Sequence, residues 1–419
     1  MICESLKKTV GSLLGAGQNT RGAQSKAEQV QKMPARLRET RSAVIVGGGV
    51  AGLTLARTLL RRGMPGDAVT ILEKRPTLEW EVDRGVGFWP AAASVLDGFG
   101  IQFGEISRSI QPASYRSNNG TWLSLPSADV AERIRVRTVL ENDLIRALAT
   151  NLDARLKLGA NVTHTSKHGA HLDSGEIIHA DIVCVASGVN TFLDGNYDRE
   201  AQCESQIVTS VSGISRSSNG LDRAYEVFLR PGRRFAAVPL KEDSAFWFLT
   251  LPPPEYPTND GFNTLKDVVA AFPENCVQEY AQLVMSSDEQ SILVRRGPAE
   301  HRQIVQGAAY NRNSNTLYLG DARYTMPHNL AQGGSIAVED AFRFSQCFGR
   351  AATASLEATE AASLTRLESC RSTSQFTSLL SAFPRAASAM SLVPAPINSA
   401  VFDFFLLRGL GSGARTMPG

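Results

Sequence analysis

A chain of 419 residues with 20% charged residues and a formal net charge of +2 carries no global field that would point to nucleic acid or an acidic polymer as its partner. Its length holds two domains, or one large two-lobed unit, with substantial cores. Six cysteines without a CxxC pair speak against both a zinc site and a disulfide framework and fit a reducing compartment, and no run approaches the roughly 20 apolar residues that cross a bilayer.

Residues 1–40 lack aromatics and set Lys7, Lys8, Arg21, Lys26, Lys32, Arg36 and Arg38 against Glu4, Glu28 and Glu39. This basic leader suits either a disordered tail or a mitochondrial presequence, with Glu4 counting against the second. It has no apolar core of signal-peptide type, so a cytoplasmic or mitochondrial location is expected and secretion is not.

Next comes Val44-Ile45-Val46-Gly47-Gly48-Gly49-Val50-Ala51-Gly52-Leu53, which reads as a buried strand passing through a glycine turn into a helix. Gly47 turns the chain, Gly49 lets backbone approach a pyrophosphate, and Gly52 lets the helix pack closely on the sheet. The helix N-terminus would meet the phosphate charge. Arg61-Arg62-Gly63 closes the helix, and a second strand, Ala68-Val69-Thr70-Ile71-Leu72, ends in Glu73, placed to accept the ribose hydroxyls of an adenosine.

The stretch Arg84-Gly85-Val86-Gly87-Phe88-Trp89-Pro90 follows, with Pro90 opening a helix over 91–99. Strand-like segments around an Asn118-Asn119-Gly120 turn are assigned to a second sheet. Another helix is expected to start at Arg137, with Leu140, Leu144 and Leu148 on one face. A hairpin turned at Asp173-Ser174-Gly175 then leads into the apolar strand Ile182-Val183-Cys184-Val185, which returns to the first sheet. His164, His168 and His171 lie close in sequence, but strand alternation puts the first two on one face and His171 on the other, so no metal is expected.

Residues 204–305 alternate β-branched and aromatic residues and read as an antiparallel sheet forming one wall of a substrate pocket, with a helix near 264–271. Tyr225, Phe246, Trp247 and Phe248 are assigned to its core rather than to ligand contacts. A third motif, Leu317-Tyr318-Leu319-Gly320-Asp321-Ala322, ends a strand in Gly-Asp and is followed by Gln332-Gly333-Gly334-Ser335 and a helix over 336–348. Such a pairing offers an acceptor to sugar hydroxyls and amides to an anion or carbonyl. After Ser372 a short apolar segment, 401–407, suits docking onto the main body or, alternatively, peripheral contact with a membrane surface.

Three motifs in this order resemble the single-component flavoprotein monooxygenases of the p-hydroxybenzoate hydroxylase type, most closely the urate hydroxylase and zeaxanthin epoxidase branch. The resemblance spans about residues 42–347. It implies an α/β fold with a Rossmann-like FAD-binding domain, an inserted antiparallel-sheet substrate domain and a helical C-terminus. The FAD-binding domain would take residues 41–203, with strands of the second sheet near 110–135, and resume over 306–372; 204–305 would be the insert and 373–419 a C-terminal segment.

By the same resemblance Gly47, Gly49, Gly52 and Glu73 would hold the diphosphate and adenosine ribose of FAD. Gly87 and Arg137 would lie along the cofactor, Asp321 would face its ribityl or pyrophosphate region, and Gly333 and Gly334 would lie near the isoalloxazine ring. In that family NAD(P)H reduces the flavin and O2 is delivered, through a flavin hydroperoxide, to an aromatic or olefinic carbon, here of a small aromatic or isoprenoid-like substrate. No catalytic base is read from the sequence; His328 is the histidine placed nearest a flavin. Where the family carries Asp-Gly and a downstream Ser and Arg, this chain has Ser187-Gly188-Val189-Asn190-Thr191-Phe192-Leu193-Asp194. Exchanging the arginine for Asp194 opposes a phosphorylated nicotinamide. Arg323-Tyr324, His328 and Ala331 likewise replace the family's Ala-His, Pro and Gly. Two readings follow: a working FAD-dependent hydroxylase or epoxidase, and a flavoprotein-fold binding or assembly protein that has lost oxygenase activity.

Overall fold

A computed structural model describes residues 39–188, 207–230, 232–251, 262, 264–298, 302–303, 309–325, 332–349, 354–382 and 403. Most of the basic leader, residues 189–194, His328 and Ala331 lie outside the described residues.

The first lobe begins with β1 (Ala43–Val46), α1 (Val50–Arg61) and β2 (Val69–Glu73). All four residues of β1 are buried, as expected of a strand covered on both faces. The chain continues through β3 (Gly85–Phe88), α2 (Pro90–Gly98) and α3 (Phe103–Ile106). It then runs through β4 (Arg108–Ser117), β5 (Trp122–Ser124), α4 (Ala128–Arg133), β6 (Val136–Leu140) and α5 (Glu141–Ala149). After them come β7 (Arg155–Leu158), β8 (Val162–Ser166), β9 (Gly169–Leu172), β10 (Ile177–His179) and β11 (Ile182–Val185). The insert holds β12 (Ile207–Ser215), β13 (Arg223–Arg230), β14 (Arg233–Pro239), β15 (Ala245–Leu251), α6 (Leu265–Ala270), α7 (Gln278–Met285) and β16 (Leu293–Pro298). The chain closes with β17 (Arg302–Gln303), β18 (Tyr310–Asn311), β19 (Thr316–Tyr318), β20 (Tyr324–Thr325), α8 (Gly333–Ser345) and the long α9 (Leu356–Ala382).

Six strands form the first sheet in the order β18-β19-β11-β1-β2-β7, with β1 parallel to both β11 and β2. Parallel neighbours need a crossover, and α1 supplies it. Alternation along β1 then sorts the core. Ala43 and Ile45 face Leu53, Leu59, Leu144, Val338 and Phe344 on α1, α5 and α8, while Val44 and Val46 face Ala170 and Leu172 of the small β8–β10 sheet.

The second sheet has nine strands and draws β3, β4, β5 and β6 into the same surface as β12–β16. Its outer face packs Tyr225, Val227, Phe235, Ala237, Trp247 and Leu249 against Val268, Tyr280 and Leu283 of α6 and α7. Thr264 and Asp267 close a capping box at the start of α6, a device that stops the helix where two orphan donors find acceptors. Phe246 and Phe248 depart from the core assignment: they are half-buried and alternate with Trp247 onto the inner face.

Two further expectations are corrected. Arg137 starts no helix, because residues 136–140 pair with β3 and β4 as β6 and the helix begins at Glu141; the run Val136-Arg137-Thr138-Val139 holds three β-branched residues and fits a pleated surface better than a first helical turn. His164 and His171 do not diverge either. The hairpin register sets them directly opposite and their rings stack at 4.0 Å, since cross-strand partners share a face. Among the described residues no group of three His, Cys, Asp or Glu side chains is placed to hold a metal ion. In the C-terminal segment, Asp403 accepts a hydrogen bond from the Ser127 amide at 3.0 Å, which docks that residue on the body beside α4. No helix among the described residues is long and apolar enough to cross a membrane.

Candidate functional site

At the end of β1 the chain turns at Gly47, whose φ is +109° and where a Cβ would stand 2.5 Å from the Ala186 carbonyl oxygen. Gly52 is equally closed, for its Cβ would meet the Gly47 oxygen at 2.0 Å. Gly49 differs: a Cβ there meets nothing within 4 Å. The open side of the turn therefore lies at Gly49, the N-cap of α1, which has no side-chain cap and no acid in its first turn. Free first-turn amides at the positive end of a helix form an anion cradle.

Glu73 ends β2 beside this cradle. Its Oε2 accepts from the Gly48 amide at 2.8 Å, and its Oε1 accepts from Arg75 N and Nε at 3.0 Å. Burial alone would raise this carboxyl, but the hydrogen bonds from Arg75 and Gly48 outweigh it and hold the group below the ordinary carboxylate range. It stays ionised and acceptor-only, the state that sugar hydroxyls require.

The Gly320-Asp321 turn after β19 fits between two helices: a Cβ on Gly320 would lie 3.3 Å from the Ala337 Cβ of α8 and 3.6 Å from the Ala51 Cβ of α1. Asp321 keeps an exposed surface at this turn. Burial raises its pKa, the Arg84 charge draws it down and Glu141 pushes it up, with a net rise. Arg84 itself is held by Glu141, its Nη2 donating to Oε1 at 2.9 Å. Arg295 reaches in from β16, its pKa lowered to about 10 by burial and then by repulsion from Arg84. The Trp80 ring lies under all three local cations, with Arg75 at 3.9 Å, Arg84 at 5.3 Å and Arg295 at 5.6 Å from its centroid. Residues of both lobes thus contribute to one charged cluster.

Between β3 and α8 the Gly87 carbonyl accepts from Ser335 Oγ at 3.4 Å, and Ser335 Oγ in turn accepts from the Trp89 amide at 3.0 Å. Ser335 follows Gly333 and Gly334 in the first turn of α8, so β3 and the glycine-rich helix start are fastened together. Of the residues singled out by sequence, the structure gathers Gly47, Gly49, Gly52 and Glu73 at one end. Gly87, Gly333 and Gly334 come together at the other, and Asp321 lies on the turn packed between α1 and α8. Arg137 is not among them: its Nε donates to Ser107 at 2.9 Å, and its guanidinium lies 4.9 Å over Phe103 and near Asp97. The arginine that shares the field of Asp321 is Arg84. Its place directly before Gly85-Val86-Gly87 was the available signal; Glu141, Trp80 and Arg295 had none, since each is brought in by tertiary packing.

The model of a family described as FAD binding domain matches residues 40–369. Aurachin C monooxygenase/isomerase of Stigmatella aurantiaca is 28% identical over 347 residues, covering 78% of this chain and 84% of the relative. Monooxygenase 1 of Arabidopsis thaliana is 25% identical over 329 residues, covering 73% and 78%. Among solved structures, Klebsiella pneumoniae HpxO complexed with FAD and uric acid aligns with a TM-score of 0.70 at 17% identity, over 88% of this chain and 97% of that one. That likeness establishes a shared fold.

Proposed function

The chain belongs to the FAD binding domain family, and from that premise we propose that it is an FAD-dependent monooxygenase acting on a small, neutral aromatic or olefinic substrate. The observation that carries the cofactor assignment is the uncapped start of α1, open at Gly49 and flanked by the ionised Glu73. The diphosphate fits the α1 amides, the adenosine ribose fits Glu73, and Asp321 is left to accept from ribityl hydroxyls. FAD, when bound, supplies electron transfer from NAD(P)H and the activation of O2. The protein's own part is to bind, orient and keep water out.

The inner face of the nine-stranded sheet supports the substrate class. Register sets Phe228, Arg234, Thr250, Ser210 and Arg295 in one row across it, and Tyr115, Glu226, Ala236 and Phe248 in the next. Glu226 and Arg234 pair at 3.1 Å, 4% and 8% exposed, and Tyr115 stacks on Phe228 at 5.4 Å. Arg234, already neutralised by buried Glu226, offers no net charge to a carboxylate at its end of the row, while Arg295 at the other end belongs to the charged cluster around Trp80 and Arg84. The surrounding aromatic rings suit a flat, apolar substrate.

Two results are expected. Mixing the purified holoprotein anaerobically with NADH or NADPH should bleach the flavin band, faster with a neutral aromatic substrate than with a carboxylated one; a bound flavin that neither nucleotide reduces would favour the binding or assembly reading instead. Asp321→Ala should raise the FAD dissociation constant about 10- to 100-fold, the weight of a hydrogen bond to a charged acceptor. Full yellow colour at equal stoichiometry on dilution would remove Asp321 from the site.

A further inference from the structure

Two side chains that follow the Asp321 turn are withdrawn from solvent: Arg323 is 1% exposed and Tyr324 5%. Both are tied to the helices α8 and α9. The Arg323 guanidinium donates from Nη2 to Glu360 Oε1 of α9 at 3.0 Å and from Nη1 to Ser363 Oγ at 3.3 Å. Ser363 Oγ in turn donates to Asp340 Oδ2 of α8 at 3.0 Å, and the Tyr324 hydroxyl donates to the same oxygen. These bonds close a ring that leaves the chain at residue 323, crosses α9 and α8, and returns at residue 324. Glu360 Oε1 also accepts from the Ala309 amide, and the Ala309 carbonyl accepts from the Tyr318 amide at the end of β19 at 2.9 Å. One carboxylate of α9 therefore fixes both the turn and the strand that leads into it.

A guanidinium buried this deeply is strongly destabilising without its acceptor, so the place of Arg323 is set by α9. The Arg323 amide donates to the Gly320 carbonyl at 2.9 Å, and Gly320 is wedged between α1 and α8 at the other end of the same turn. Asp321, which alone among residues 320–324 keeps an exposed surface, is thus held from both sides. The charges that shift its carboxyl are those of Arg84 and Glu141, whereas the Arg323 charge is met by Glu360. The influence of Arg323 on Asp321 therefore runs through the geometry of the chain. Resting on the reading of Asp321 as an acceptor for the cofactor, we propose that Arg323 is a positioning residue: anchored on Glu360 and Ser363, it sets the place of the Asp321 carboxylate and makes α9 a working part of the cofactor site. A site holds its ligand only as well as the residues behind it hold the contacting groups, and hydrogen bonds weaken steeply when their geometry is lost.

The test is a double-mutant cycle on the full chain, reading the FAD dissociation constant by equilibrium dialysis. Arg323→Met keeps much of the stem and should raise the constant about tenfold. Arg323→Lys, which can still donate to Glu360, should recover most of the affinity. In an Asp321→Ala background the Arg323→Met change should alter the constant by less than about twofold, because the carboxylate it positions is gone. Equal penalties in the two backgrounds overturn the proposal, since damage spread through α1 or α8 is felt with or without Asp321. An Arg323→Met protein of wild-type affinity overturns it as well. If Arg323→Met does not fold, Glu360→Gln takes its place in the cycle, and penalties that simply add to that of Asp321→Ala have the same meaning. Wild-type affinity in Asp321→Ala alone instead removes the reading of Asp321 on which the inference stands.

Discussion

Gly52→Ala is expected to cost the protein its FAD. The added Cβ would stand 2.0 Å from the Gly47 carbonyl oxygen and 3.1 Å from Ile45 Cγ2. The first contact is more than 1 Å inside ordinary van der Waals distance and is made with backbone, which cannot rotate aside. Relief requires α1 to lift off β1 or the Gly47 turn to open. Either movement displaces the amides at Gly49 that form the anion cradle, and hydrogen bonds weaken steeply once their geometry is lost. The loss of two or more charge-assisted bonds to a diphosphate is worth about 3 kcal/mol or more, roughly a hundredfold in affinity. Equilibrium dialysis of FAD against purified variant and wild type measures it. The apoprotein should also melt earlier, because α1 carries Leu53, Leu55 and Leu59 into the main core. A Gly52→Ala protein that binds FAD within a factor of two of wild type would show that the diphosphate does not sit at the α1 start.

How far this site was legible in the sequence depends on how local its parts are. Gly47, Gly52 and Glu73 were readable because strand, turn and helix are consecutive and their spacing fixes the geometry. Gly87 and Gly334 were readable as motifs, but not as neighbours, since Ser335 links them across 248 positions. Arg137 lies apart from the Asp321 cluster, and Arg84 beside it, for a physical reason. A helix start at 137 would have aimed that side chain at a helix terminus, whereas in β6 it lies over Phe103 and leaves the cluster to the arginine preceding β3. Histidine placement failed at the same level, as alternation along one strand says nothing about which residue the hairpin sets opposite. The nine-stranded sheet shows the remaining limit. That β4 pairs parallel with β13 depends on a contact more than 100 residues away, which no local periodicity encodes.

Arg234→Met should destabilise the protein more at high pH than at low pH. The Glu226 to Arg234 pair is buried in the sheet, and the Arg234 Nη1 and Glu226 Oε1 that approach within 3.1 Å make no well-aligned hydrogen bond, so charge attraction is the main compensation for desolvating both groups. Burial already raises the Glu226 pKa, with the Arg234 charge drawing it back; removing Arg234 deletes the restoring influence and the rise grows. An acid whose folded pKa exceeds its unfolded value, about 4.3 for glutamate, binds its proton more tightly when native. Stability then falls as pH rises from the unfolded to the folded pKa and stays low above it. The variant should lie closest to wild type near pH 4 to 5 and lose about 3–5 kcal/mol by neutral pH, the usual result of leaving one buried charge alone. Melting curves across that range measure it, and a pH-independent difference would mean that the loss is one of packing by the arginine stem. Because the penalty belongs to the stranded carboxylate rather than to the absence of the pair, Glu226→Leu added to Arg234→Met should recover most of the stability. A double variant no more stable than Arg234→Met would show instead that the pair itself contributes net stability to the sheet.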